Sequence, residues 1–177
     1  VIAEAPRIET DRLVLRAWRK DDFSPWHDIL HEDEVARFLG GTGGTKEDVW
    51  RRLAGAVGSW PLLGFGGWAV TLKGTGELVG TVGLFNAWRA LEPAFGEEPE
   101  MGWIFKPAVQ GLGLASEATR AVLGWAQANL EPTPVWAIIH PENEASMRLA
   151  ARLGFEPVGE VLYEDEPTLV LKRPAWH

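Results

Sequence analysis

The chain has 177 residues, 46% of them hydrophobic and 24% charged, with a net charge of −8 and no cysteine. That length suits one domain, residues 1–177, with a sizeable core, and the missing cysteine excludes disulfides, thiolate metal sites, iron–sulfur clusters and a cysteine nucleophile. The acidic balance opposes a nucleic-acid partner, no stretch approaches the roughly 20 apolar residues that span a bilayer, and ten tryptophans against one tyrosine leave few phenols for acid chemistry.

The first strand is predicted over 12–19, where Leu13, Leu15 and Ala17 alternate with Val14, Arg16 and Trp18. Asp21 and Asp22 offer N-cap chemistry for a helix to about residue 31. A short helix follows over 33–39, broken by the glycines at 40–44. Thr45 caps a third helix over 46–60, with Glu47 and Asp48 in its first turn. Residues 61–67 read as a Pro/Gly loop. A hairpin pairs 68–72 with 77–85 across a tight turn. A loop rich in Glu and Pro spans 88–99, and a strand spans 100–105. A helix is predicted over 113–129, a strand over 135–140 and a helix over 141–153, stopped by Gly154. Two closing strands occupy 157–163 and 168–172. This alternation predicts an α/β fold, a mixed sheet with helices on its faces.

Residues 100–120 carry the strongest chemical signal. A strand feeds a loop holding Gly111 and Gly113, and the loop feeds a helix. Glycine lets backbone approach a ligand closely, and the free N–H groups of a helix start attract anions, phosphates above all. An ordinary strand–helix turn also needs glycine, so the segment alone leaves both readings open. A Walker loop is excluded because Leu114, not Lys, follows Gly113. A dinucleotide fingerprint is disfavoured because Ser116 stands where its third glycine belongs.

A third design fits. Gln110-Gly111-Leu112-Gly113-Leu114-Ala115 matches Q/R-x-x-G-x-G/A and resembles the pyrophosphate loop of the GNAT superfamily of N-acetyltransferases. The segments Ile8 to Arg16, Asp21-Asp22-Phe23 and Asn143 to Phe155 resemble the RimJ/RimL branch, which acetylates ribosomal-protein N-termini. The resemblance covers essentially the whole chain. It implies a single GNAT domain with a mixed, mostly antiparallel central sheet and helices on both faces. It also implies acetyl transfer from acetyl-CoA, as cosubstrate, to a primary amine, with no metal.

The resemblance assigns roles residue by residue. Gln110, Gly111, Leu112, Gly113, Leu114 and Ala115 hold the pyrophosphate. The backbone of Trp103, Ile104 and Phe105 pairs with the pantetheine arm and polarises the thioester carbonyl. Glu100, directly or through water, is the candidate base, and His140 is the alternative. The family's usual acid, a tyrosine seven residues after the helix asparagine, is replaced by Ala150. Asn143 is assigned to CoA binding, or to capping its helix, or to both. Ser146, three residues on and on the same face, is assigned to the leaving thiolate. The missing phenol leaves a non-catalytic acyl-CoA-binding module as the rival reading.

The absence of cysteine points to direct attack in a ternary complex rather than a ping-pong route. His27 and His31 imitate a zinc-protease pair, but Asp28 is too short for the expected base and no third ligand follows. Residues 27–60 and 88–98 are expected to border the acceptor, a small molecule or a protein N-terminus. Trp50, Trp60 and Trp88 lie in those segments, and Trp26 on the same first helix just before them, as candidate pocket walls. No basic-then-apolar leader pattern opens the chain, so cytoplasmic residence is expected. A homodimer is left open.

Overall fold

A computed structural model describes residues 2–177. The strands are β1 (Ile8–Glu9), β2 (Leu13–Arg16), β3 (Gly67–Leu72), β4 (Leu78–Phe85), β5 (Glu100–Phe105), β6 (Val135–Ile139), β7 (Glu156–Tyr163) and β8 (Glu166–Arg173). The α-helices are α1 (Phe23–His31), α2 (Asp33–Ala36), α3 (Lys46–Leu63), α4 (Leu114–Asn129) and α5 (Glu144–Arg152). The strands form one mixed, mostly antiparallel sheet in the order β1-β2-β3-β4-β5-β6-β8-β7. The expected α/β class is therefore observed.

The chain divides into two compact units, one running up to residue 83 with 103–122, the other holding 84–102 with 123–177. In the first, β2 pairs antiparallel with β3 from Leu13↔Leu72 to Arg16↔Ala69. Its core gathers Trp18, Trp26, Ile29, Leu30, Val49 and Leu53 from β2's exit, α1 and α3. Gly80 on β4 has a positional reason. A Cβ there would stand 2.2 Å from the Ile104 carbonyl oxygen, so only glycine permits this approach of β4 to β5.

In the second unit β6 pairs antiparallel with β8, and β8 with β7. β6 (VWAII) is buried along nearly its whole length, as a continuous apolar run on a central strand should be. Its register with β5 is parallel and consists of one pair, Glu100↔Trp136. The β7–β8 hairpin turns on Glu164 and Asp165 at φ 52° and 65°, the left-handed pair of a type I′ turn. Both residues are exposed, so the acidic turn is solvated.

Two local expectations are corrected. Asp22 does not cap α1. Its carboxylate accepts Arg16 Nη1 and Nη2, each at 2.8 Å, and the Arg19 backbone N–H at 2.7 Å. The guanidinium outcompetes the helix amides for a buried carboxylate, because a charged bidentate partner is the stronger one. Also, α3 does not end at residue 60 but runs through Pro61 to Leu63 and stops at Gly64, φ 78°. A proline in the last turn forfeits only a single N–H bond, and the left-handed glycine supplies the stop.

Candidate active site

The first unit carries the glycine loop. β5 ends at Phe105, and Lys106 N–H donates to the Val79 carbonyl at 2.9 Å. A 3-10 turn over Pro107–Val109 leads to Gln110, whose Nε2 donates back to the Phe105 carbonyl at 3.2 Å. Gln110 thus ties the start of the loop to the end of the strand. Gly111 and Gly113 adopt φ 77° and 78°, which L side chains rarely enter. Leu114 is buried and begins α4, while Gly111, Leu112 and Gly113 are exposed. The amides of Leu114, Ala115 and Ser116 open the helix, ahead of the bond from Glu117 N–H to the Gly113 carbonyl at 3.1 Å. The result is an exposed, glycine-shaped loop running into a 16-residue helix, a positively polarised seat for an anion.

The loop is braced from the β1–β2 turn. Arg12 Nη1 donates to the Leu112 carbonyl at 2.8 Å, and Arg12 Nε donates to Glu117 Oε2 at 2.7 Å. Glu117 Oε1 also accepts the Arg12 backbone N–H at 2.8 Å and the Thr10 hydroxyl at 2.6 Å. Burial pushes the Glu117 carboxyl up, but the Thr10 hydroxyl, the Arg12 N–H and the Arg12 guanidinium outweigh it and hold it below the usual range. Sequence reasoning treats Thr10 and Arg12 only as part of an opening strand. The available signal is an acidic residue in the first turn after the glycines, which needs a partner from elsewhere.

Within β5, Trp103 and Ile104 are half-buried and Phe105 is buried. Glu100, in the second unit, is 3% exposed. Its carboxylate takes two bonds from Arg89, Nε to Oε2 at 2.6 Å and Nη2 to Oε1 at 2.9 Å. Burial raises the Glu100 pKa, and the guanidinium opposes this without cancelling it. Each carboxylate oxygen keeps a further lone pair for a second partner.

Asn143 caps α5, its Oδ1 accepting the Ser146 N–H at 3.1 Å. The structure thus brings Asn143 and Ser146 together, and both are half-buried. Ala150 is fully buried in the core, so no proton donor stands at the family's usual acid position. His140 Nδ1 accepts the Glu142 N–H at 3.2 Å, and Nε2 lies 3.7 Å from Glu166. That arrangement orients the turn leading into α5.

Trp26 and Trp60 are not pocket walls. They are 3% and 1% exposed, with Trp26 packed on Trp18 and Trp60 edge-on to Trp68. Hydrophobic burial claims them because α1 and α3 turn these faces to the core. Trp88, at 71%, is the exposed one of the set, with Trp50 partly so. The imitation zinc pair is occupied locally: His31 contacts the His27 and Gly44 carbonyls at 2.7 and 2.9 Å and stacks on His27. Among the described residues no group of three or more His, Asp or Glu side chains is placed to hold a metal ion. None of the described helices is long and apolar enough to cross a membrane.

Comparison with known proteins places the fold. The acetyltransferase (GNAT) domain family matches residues 12–156. The uncharacterized N-acetyltransferase YoaA of Bacillus subtilis (strain 168) is 28% identical over 159 residues, covering 87% of this chain and 85% of its own. A Bordetella pertussis protein assigned to the GnaT family of acetyltransferases superposes with a TM-score of 0.84 at 31% identity, over 96% of this chain and 99% of that one. AAC(6')-Ib, solved with paromomycin and acetyl-CoA, shares the fold, with a TM-score of 0.73 at 22% identity over 93% and 94% of the two chains. The chain belongs to the GNAT acetyltransferase family and is an N-acetyltransferase.

Proposed function

We propose that the chain acts as a single domain of the RimJ/RimL type that moves an acetyl group from acetyl-CoA to a primary amine by direct attack. The observation that carries this reading is the glycine loop at the start of α4, held open by two left-handed glycines and braced by Arg12. A diphosphate bears the charge such a loop attracts, and the backbone N–H groups of Gly111 to Ala115 are its ligands. The pantetheine arm pairs with the backbone of Trp103, Ile104 and Phe105, and Asn143 adds a side-chain amide. Asn143 Nδ2 donates to no described residue, because only its Oδ1 serves as the cap.

The amine must shed a proton before it attacks. Glu100 accepts it, directly or through water, and its burial raises the carboxyl in the direction a base requires. The amine nitrogen then bonds to the thioester carbonyl carbon and the C–S bond breaks. The β5 amides stabilise the developing oxyanion. Ser146 donates a hydrogen bond to the leaving thiolate. The acceptor is a small-molecule amine or a protein N-terminus, met in the cytoplasm.

The test has two arms. Acetyl-CoA should raise Tm where NAD does not. Thiol release should then be followed with a panel holding a free-N-terminal peptide, an aminoglycoside, a polyamine and an amino acid. At least one amine is expected to release thiol in step with its own acetylation. Stabilisation by acetyl-CoA with no amine ever releasing thiol would favour a non-catalytic acyl-CoA-binding module.

A further inference from the structure

Glu100 is held by a network that a lone strand-end carboxylate does not need. Arg89, on the loop after β4, grips it with Nε and Nη2 and sends its third arm, Nη1, to the Tyr163 hydroxyl at 3.2 Å. The guanidinium carbon also lies 5.1 Å from the Tyr163 ring centroid and 6.0 Å from that of Phe85. Three segments thus converge on one carboxylate: the loop, the start of β5 and the end of β7. Tyr163 is the chain's single tyrosine.

Buried ion pairs are poor stabilisers, because desolvation consumes most of the Coulomb gain, and an apolar pair often does as well. What a bidentate fork supplies is orientation. We infer that Arg89 is a positioning residue that fixes the plane and ionisation of the Glu100 carboxylate for proton transfer, and that Tyr163 positions Arg89 in turn. The inference rests on Glu100 acting as the base. The step balances simply: an N–H bond of the ammonium breaks, an O–H bond forms on Glu100, and the guanidinium keeps all its protons. Arg89 stays charged throughout, since its bonds to Glu100 and Tyr163 outweigh its burial. Close by in sequence, Glu98 is itself paired: it accepts Trp136 Nε1 at 2.5 Å and meets Lys172 Nζ at 3.2 Å.

The experiment is a pH profile of kcat/KM for thiol release from acetyl-CoA, with the fastest amine of the panel, in Arg89→Gln, Arg89→Lys and Tyr163→Phe. Without the cation the neutral carboxyl gains, so Arg89→Gln should move the acid limb up by about one pH unit and lower plateau kcat roughly tenfold. KM for acetyl-CoA should hold. Arg89→Lys should restore the limb but not the plateau, and Tyr163→Phe should fall between Arg89→Lys and wild type. An unmoved limb in Arg89→Gln overturns the proposal. If that variant fails to fold, the other two decide: lost kcat supports positioning, and a loss confined to Tm overturns it. A carbon-13 titration of the Glu100 carboxyl in the full chain needs no amine. Its midpoint should rise in Arg89→Gln and hold in Arg89→Lys; a fixed midpoint in Arg89→Gln overturns the proposal. A wild-type rate in Glu100→Gln would instead remove the base assignment on which the inference rests.

Discussion

Arg12 and Glu117 lock the β1–β2 turn to the first turn of α4, with Arg12 Nε donating to Glu117 Oε2 at 2.7 Å and Arg12 Nη1 reaching on to the Leu112 carbonyl at 2.8 Å. The glycine loop is therefore shaped from outside as well as from within. Removing Arg12 frees the Leu112 carbonyl and loosens the loop. Arg12→Ala should weaken acetyl-CoA binding about tenfold, equivalent to roughly 1.4 kcal/mol, as read by calorimetry. Unchanged affinity would show that the loop keeps its shape alone.

The same pair gives a pH dependence with a definite sign. Glu117 is held below its ordinary value of 4.5, so the unfolded chain binds the proton more readily. Its contribution to stability is full above 4.5 and fades as pH falls through the lower folded value. The Tm difference between wild type and Glu117→Gln should be largest near neutrality and should shrink in acid. A gap that widens in acid would reverse the assignment.

Two glycines should separate loop shape from sheet packing. A Cβ on Gly111 meets nothing within 4 Å, so Gly111→Ala bears only the left-handed backbone cost, about 1 kcal/mol. A Cβ on Gly80 would press on the Ile104 carbonyl at 2.2 Å. Gly80→Ala should therefore cost more, roughly 2–4 kcal/mol in chemical denaturation, because backbone must shift. Equal losses would contradict the close approach of β4 to β5.

The cap made by Asn143 and its proposed contact with CoA are separable. Asn143→Ala removes the cap and should cost about 1 kcal/mol of stability. Asn143→Asp keeps a capping oxygen and loses the amide N–H groups, so Tm should hold while KM for acetyl-CoA rises. Ser146→Ala should lower kcat with little change in Tm. If Asn143→Asp leaves KM unaltered, the residue is a cap and nothing more.

The tryptophans divide by burial. Trp60→Ala should destabilise by roughly 3–5 kcal/mol, as a fully packed indole in the core demands. Trp88→Ala should leave Tm nearly unchanged, because its ring is 71% exposed.

The elements were largely legible because hydrophobic alternation, caps and glycine stops are local signals. Thr45 announces α3, and the glycine pair announces the loop before α4. What escaped was decided by partners distant in sequence. Asp22 sits where a cap belongs, yet Arg16 takes its carboxylate. Pro61 reads as a break, yet α3 absorbs it in its last turn. Glu100 is readable as a strand-end acid, but nothing local reveals Arg89 and Tyr163 around it. Likewise Trp26 and Trp60 have the composition of a pocket wall, and only the packing of α1 and α3 places them in the core.

The central claim, direct transfer from acetyl-CoA to an amine, is tested most directly by initial rates with both substrates varied. Attack within a ternary complex predicts double-reciprocal lines that intersect, with no acetyl group left on the protein when acetyl-CoA is supplied alone. Parallel lines, together with a 42 Da adduct (about one acetyl group) on the isolated chain, would place a covalent acetyl-enzyme on the path and contradict the account.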